Sequence, residues 1–202
     1  CHLQHGHKRR ILKILTLLQL IPGKGYVILF GRHAQDRIFR IVGLKNNTSR
    51  LIPPPGSASR LCQKGKTALT AAETGQLLLS TLHTIGAAKT IDRIIDVFPA
   101  NQQRQIAVQL SMVLQAVISQ QLVPTVDGKQ VPVFEIMTIT PAIRNMIRDN
   151  KVPQIDGVVY SSNKEEMHSM DFGLLNLYKD GRITAETALS YASNPEMLKK
   201  KL

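Results

Sequence analysis

Residues 76–99 read QLLLSTLHTIGAAKTIDRIIDVFP, and this stretch decides the fold. Its first seven residues form a short apolar run that is typical of a buried strand. After a four-residue turn, an amphipathic pattern predicts a helix that Pro99 ends. A strand followed directly by a helix is the repeating unit of α/β domains, so we expect this fold class.

The residues that follow continue the mixed pattern. Apolar side chains with helical spacing predict a helix that starts at Ala100. Asp127-Gly128 lies between two apolar runs and predicts a β-hairpin. Thr140-Pro141 is a favourable N-cap and first residue for another helix. Gly181 separates the last two predicted helices. The predicted helices after the first cover residues 100–121, 140–149, 164–180 and 184–192.

The charge of the chain changes abruptly near residue 67. Of its 26 Lys and Arg residues, thirteen lie in residues 1–67 with a single acid, Asp36. Residues 68–202 hold the other thirteen basic side chains and thirteen acids, so the formal net charge of +12 belongs to the first third. Soluble domains normally intersperse both signs. We therefore interpret residues 1–67 as a basic leader, unrelated to the rest or out of frame, and we expect it to be poorly ordered.

Several spaced segments of the second part carry a resemblance to a known family. They read ALTAAETG at 68–75, LSTLHT at 79–84, AAKTIDRIIDVFP at 87–99, AVISQQL at 116–122, FEIM at 134–137 and AIRNMIRD at 142–149. Together they closely resemble the PilT family of type IV pilus retraction ATPases, which drive twitching motility and belong to the secretion-ATPase superfamily. The resemblance covers residues 68–202 without an obvious gap.

The resemblance implies an α/β fold, namely the carboxy-terminal part of a RecA-like P-loop ATPase domain followed by a helical C-terminal region. We accordingly divide the chain into the basic leader at 1–67, the RecA-like part at 68–138 and the helical region at 139–202.

The resemblance assigns His83, with Thr84 beside it, to the histidine box that senses the phosphates of a nucleotide. A side chain at the end of a strand can face a nucleotide at the carboxyl edge of a sheet, and an imidazole can donate to a phosphate oxygen. Spacing alone favours a simpler role, a histidine that caps the next helix. The family often has a second histidine where this chain has Gln76, which donates hydrogen bonds but does not titrate.

A second implied site is the helix that PilT-like proteins need for pilus retraction. Its two arginines are four residues apart and are expected to project from one helical face. Spacing alone is equally compatible with a solvated charged face. The matching residues are Ala142, Ile143, Arg144, Asn145, Met146, Ile147, Arg148 and Asp149.

The sequence lacks the groups that phosphoryl transfer requires. These are a Gly-rich phosphate loop with its lysine, an acid that holds Mg²⁺ and a carboxylate that positions water. Gly65-Lys66-Thr67 is tempting, but the first glycine of the motif would fall on Arg60. Between Asp36 and Glu73 there is no acid at all. We therefore assign no catalytic residue and expect negligible hydrolysis by this chain alone.

The resemblance implies a cytoplasmic homo-hexamer that works with the proteins of the pilus base and uses ATP and Mg²⁺, with the nucleotide between subunits. The missing motifs argue against ATP binding by this chain alone. We predict no metal site, since a ligand set of Cys1, His2, His5 and His7 at a terminus suggests adventitious binding. We predict neither membrane insertion nor, in the leading interpretation, a nucleic-acid partner.

Three interpretations therefore compete. In the first, the chain is the carboxy-terminal part of a retraction motor, truncated and inactive alone, behind an out-of-frame leader. Translating the encoding DNA in its other frames tests this origin. In the second, it is a non-enzymatic binding module whose basic arm binds nucleic acid or anionic lipid. The third, an exported protein, rests on the basic and apolar residues 8–21.

Overall fold

The computed structural model describes residues 27–30, 57–75, 78–80, 82–162 and 167–202, with side chains from Cys62 onward. The predictions made for Gln76, for the possible metal ligands near the start of the chain and for most of the leader lie outside these residues.

The described residues form both helices and strands, and helices alone follow the last strand. The strands are β1 (Val27–Phe30), β2 (Leu78–Ser80), β3 (Leu114–Pro124) and β4 (Gln130–Thr138). The helices are α1 (Ser57–Glu73), α2 (Ala87–Asp96), α3 (Ala100–Val113), α4 (Pro141–Arg148), α5 (Ile155–Ser161), α6 (Met170–Lys179), α7 (Ala185–Tyr191) and α8 (Pro195–Lys199), with a 3₁₀ turn at Val152–Gln154. The α/β fold class expected from the sequence is confirmed.

The four strands form one sheet in the order β2-β1-β3-β4, and each neighbouring pair is antiparallel. The basic leader contributes β1 (Val27–Phe30) to this sheet. The predicted hairpin is confirmed as β3 and β4, whose register places Ser119 opposite Glu135. Both of these side chains face the first turn of α2.

One predicted helix is wrong in its second half. The helix expected over residues 100–121 ends at Val113, and Leu114 is already extended with φ −60° and ψ 133°. Residues 116–118 instead pair with β1 and β4 in the middle of the sheet. A strand covered on both faces is apolar almost throughout, so periodicity does not separate it from a buried helix.

The helix expected over residues 164–180 also begins later, at Met170. Before it, His168 forms an isolated bridge with Ile136 of β4, with backbone hydrogen bonds of 2.9 and 3.0 Å. The bridge keeps this segment extended until Ser169, which caps α6 by accepting from the Phe172 amide. The predicted cap Thr140 is confirmed at α4, and Thr184 caps α7 in the same way.

Helix α1 begins at Ser57, although residues 45–66 have the composition of a loop. Leu69 and Ala72 lie buried on one face of this helix. Gly65 approaches the core so closely that a Cβ there would meet the Phe98 ring at 2.7 Å. Packing against the core therefore favours a helix here.

Buried apolar side chains form two clusters. The larger joins α1 to α5 with β2, β3 and the end of β4, and includes Ile91, Leu110 and Ile143. The smaller packs α6, α7 and α8 against the hairpin end of β3 and β4 around Leu174. Glu135 lies on β4 between these regions. The division of the chain at residues 67 and 138 stays a prediction.

Candidate functional site

The first candidate site is the turn between β2 and α2, which carries two of the three predicted nucleotide-sensing residues. His83 lies three residues after the last residue of β2, and its side chain is exposed. An exposed imidazole at this position is available to a ligand. Gln76 lies outside the described residues, so nothing in the structure brings it near His83.

Thr84 is half-buried and holds the turn to the helix. Its hydroxyl lies 2.7 Å from the Thr90 hydroxyl, which itself donates to the Gly86 carbonyl oxygen at 2.7 Å. Because the Thr90 proton is used on Gly86, the Thr84 hydroxyl is the donor of the pair. Thr84 is therefore occupied with holding the backbone beside His83.

Helix α2 has no capping side chain of its own, and the sheet supplies the acceptors instead. The Gly86 amide donates to the Ser119 hydroxyl at 3.0 Å, and the Ala87 amide donates to Glu135 Oε1 at 2.8 Å. Gly86 has φ +90°, a left-handed conformation that glycine adopts without strain. The two neighbouring strands thus fix the backbone just after His83.

Glu135 is a buried carboxylate, 6% exposed. Its second oxygen accepts from the Met170 amide at 3.4 Å, at the first residue of α6. Burial raises the pKa of Glu135, and the charges of Asp156 and Asp171 raise it further, while the amides of Ala87 and Met170 oppose the shift. One carboxylate therefore contacts two helix N-termini, where a negative charge is favourable.

A cavity of about 530 Å³ opens beside this carboxylate. Its lining includes Gly86, Lys89, Glu135, Asp156 and Asp171. Burial raises the pKa of the Asp156 carboxyl, whereas the Lys89 charge lowers it. The volume is within the range of small-molecule sites. However, the buried carboxylates of Glu135 and Asp171 already accept hydrogen bonds from backbone amides.

The second candidate site, the predicted retraction helix, coincides with α4. Ile143 and Ile147 are fully buried in the larger cluster, and Met146 packs against it. Ala142 and Asn145 are exposed. The helix therefore has one face in the core and one in solvent.

The two arginines of α4 do different things. Arg144 Nη1 donates to the carbonyl oxygens of Ser111 and Met112, at 2.7 and 2.9 Å. These carbonyls belong to the last turn of α3, where backbone acceptors are left without helical partners. Arg148 is exposed and lies 3.4 Å from Asp149. The expected common face therefore holds one arginine that bonds to α3 and one that is exposed to solvent.

Sequence reasoning missed the roles of Ser119 and Glu135. Both sit in apolar strands whose neighbours are buried. An acid within the otherwise apolar run 131–137 was the signal that could have identified Glu135, because a buried carboxylate requires hydrogen-bond donors. Nothing in the spacing indicates which backbone amides those donors are.

The tempting Gly65-Lys66-Thr67 lies inside α1, and Thr67 Oγ1 donates to the Gln63 carbonyl oxygen. In the described part of the chain, no three His, Cys, Asp or Glu side chains are grouped to hold a metal ion. Of these side chains, Mg²⁺ prefers the carboxylate oxygens of Asp and Glu. The exposed imidazole of His83 is a donor that the described residues offer to a phosphate oxygen. Among the helices described, none has both the length and the hydropathy to cross a bilayer.

Comparisons with known proteins find similarity to the same family that the sequence motifs resemble. Residues 63–140 match the family described as Type II/IV secretion system protein. The chain is 48% identical over 132 residues to the twitching motility protein of Neisseria gonorrhoeae, an alignment that covers 65% of this chain and 35% of the relative. It is 47% identical over 129 residues to the type IV pilus retractation ATPase PilT of Pseudomonas aeruginosa, covering 64% and 38%.

Solved structures agree. The crystal structure of the pilus retraction motor PilT with bound ADP superposes with a TM-score of 0.60 and 44% identity, covering 67% of this chain and 38% of that one. The Legionella pneumophila ATPase DotB, 23% identical with a TM-score of 0.53, shares the fold. The fold is thus the carboxy-terminal part of a RecA-like ATPase domain with a helical C-terminal region. The predicted resemblance to PilT is confirmed.

The chain spans little more than a third of the length of the curated relatives it matches. The proteins named above are a twitching motility protein, PilT and the ATPase DotB, which does not favour the alternative of a nucleic-acid or lipid-binding module.

Proposed function

Because residues 68–202 are PilT-like in sequence and in fold, we propose that this chain is the nucleotide-sensing and retraction-helix part of a type IV pilus retraction motor. The observation that carries the proposal is the identity of 47–48% over about 130 residues with two proteins of twitching motility and pilus retraction. The sequence segments that resemble PilT include both candidate sites, the turn at His83 and helix α4.

In this proposal His83 donates a hydrogen bond to the phosphates of ATP or ADP. Its exposure after β2 and the fixed backbone around Thr84 and Gly86 support the role, because a donor must be accessible and held in place. Nucleotide bound to the PilT crystal structure supports the ligand class. ATP with Mg²⁺ would be gripped by groups that the described residues do not supply.

The chain would therefore act beside complete subunits that hold the nucleotide. We propose that it packs into a homo-hexameric ring in the cytoplasm, at the pilus base, as the resemblance implies. His83 would then face a nucleotide held by a neighbouring subunit. The exposed side of α4, with Asn145 and Arg148, would be free to contact the ring or the pilus machinery.

A titration into an active motor tests this function. The purified chain is added in excess to a full-length PilT-type ATPase such as the Pseudomonas aeruginosa relative, and ATP hydrolysis per full-length subunit is measured. We expect hydrolysis to fall as the chain replaces complete subunits. The Ile91→Asp variant, which places a charge at a fully buried position, is the unfolded control and should leave the rate unchanged. Full activity in excess folded chain would contradict the proposal.

A further inference from the structure

Glu135 holds two parts of the fold at once. Oε1 accepts from the Ala87 amide at 2.8 Å, four residues after His83, and Oε2 accepts from the Met170 amide at 3.4 Å. The first amide begins α2 and the second begins α6. At 6% exposure, little water is available to replace either bond.

The two bonds share one rigid planar group. A carboxylate cannot move one oxygen without moving the other, so a displacement of the Ala87 amide changes the bond at Met170. The backbone bridge between His168 and Ile136 keeps the start of α6 beside Glu135. Ser119, by contrast, accepts from Gly86 alone among the contacts of α2 and α6 described here.

We propose that Glu135 is a positioning residue that couples the turn carrying His83 to helix α6, so that movement of the turn is transmitted to the C-terminal helices. The coupling deepens the proposed function, since it gives the sensing of a nucleotide at His83 a mechanical output. Helix α6 packs with α7 and α8 in the smaller apolar cluster. Its displacement should therefore move those helices with it.

A purely stabilising cap is the competing explanation. Charged groups near Glu135 are Asp156 on α5, Asp171 on α6 and Lys89 on α2, and the two acids oppose its ionisation. Burying this charge is costly, and an apolar side chain would pack with Val133 and Met137, which are buried on the same strand. It would, however, leave the Ala87 and Met170 amides without acceptors. A stabilising role therefore needs an acceptor for each amide but no link between the two, whereas a coupling role needs both acceptors on one rigid group.

Amide hydrogen exchange on the 202-residue chain, without nucleotide, separates the two explanations in a double-mutant cycle. Ser119→Ala removes the acceptor of the Gly86 amide and loosens the turn. In the wild-type background we expect exchange at both Gly86 and Met170 to accelerate, by roughly fivefold at Gly86 for one lost hydrogen bond. In a Glu135→Met background, the same substitution should leave Met170 unchanged.

The matched control is Ser111→Ala, another buried serine, whose hydroxyl bonds within α3. It should accelerate neither Gly86 nor Met170. If Ser119→Ala fails to fold, Thr90→Val loosens the same turn, because the Thr90 hydroxyl donates to Gly86. Glu135→Gln keeps one acceptor oxygen. It should accelerate amide exchange at Met170 without an equally large loss of the free energy of unfolding measured in urea.

The proposal is overturned if Met170 is unaffected by loosening the turn in the wild-type background, or responds equally in both backgrounds. Because the cycle uses no nucleotide and no other subunit, this failure removes the coupling alone. If the chain does not inhibit the full-length motor in the titration described above, the proposed function is overturned, and the coupling through Glu135 is not.

Discussion

Arg144 connects two helices through charge-assisted hydrogen bonds to the carbonyls of Ser111 and Met112. Arg148, one turn further along α4, makes an exposed pair with Asp149. Exposed ion pairs contribute little, whereas a hydrogen bond from a charged donor to a partly buried carbonyl contributes more. The two residues form a matched pair, since both are arginines of the same helix.

Arg144→Ala should therefore lower the free energy of unfolding by about 1.5–3 kcal/mol, the usual value for a hydrogen bond to a charged group. Arg148→Ala should change it by no more than about 0.5 kcal/mol, as expected for an exposed position. Urea unfolding of the two variants and the wild type measures both values. Equal losses for the two arginines would show that Arg144 does not cap α3.

The resemblance indicates both candidate sites from the sequence alone, but it does not indicate which hydrogen bonds their side chains make. The position of His83 after a strand and the N-cap at Thr140 follow from local patterns. The different roles of Arg144 and Arg148 do not, because they depend on where the last turn of α3 lies in space. The same is true of Glu135, whose partners Ala87 and Met170 are 48 and 35 residues away.

Helix α1 offers a test of whether the segment that crosses the charge break at residue 67 packs on the core. Gly65→Ala would gain about 1 kcal/mol if the helix stood alone in solvent, because alanine is the better helix former. In the structure its Cβ would meet the buried Phe98 ring at 2.7 Å. We therefore expect the substitution to lower stability.

Gly157→Ala in α5 is the control, since an added Cβ there meets no atom within 4 Å. It should raise the unfolding free energy by about 0.5–1 kcal/mol. Thermal or urea unfolding compares the two variants. A stabilising Gly65→Ala would mean that α1 does not dock as described.

The start of α6 responds to acid through His168. Burial lowers the pKa of this imidazole, so the folded chain binds the proton less readily than the unfolded chain. The stability it contributes is complete above the ordinary histidine pKa of about 6.5 and declines as the pH falls through the lowered value. Urea unfolding between pH 7.5 and 5.5 should show a larger loss for the wild type than for His168→Asn. Parallel losses would contradict this assignment.

Elements were predicted well where local chemistry decides them and poorly where the sheet does. The hairpin at Asp127-Gly128 and the helix stop at Gly181, with φ +66°, are set by turn residues. The change from α3 to β3 at Leu114 has no such residue. There, pairing with β1 and β4 overrides a helical spacing that the sequence alone carries equally well.

The whole chain combines a PilT-like part with a basic leader whose interpretation as unrelated or out-of-frame sequence stays a prediction. Its net charge of +12 comes from that leader. The sequence of the PilT-like part contains no Gly-x-x-x-x-Gly-Lys-[Ser/Thr] phosphate loop, which phosphoryl transfer by P-loop ATPases needs. We therefore propose a sensor and lever that depend on the nucleotide site of another subunit.

Steady-state ATP hydrolysis by the purified 202-residue chain, with and without Mg²⁺, tests this claim most directly. The account predicts release of phosphate no faster than in a blank without protein, for the wild type and for His83→Ala alike. Magnesium-dependent turnover by the wild type that His83→Ala abolishes would contradict it.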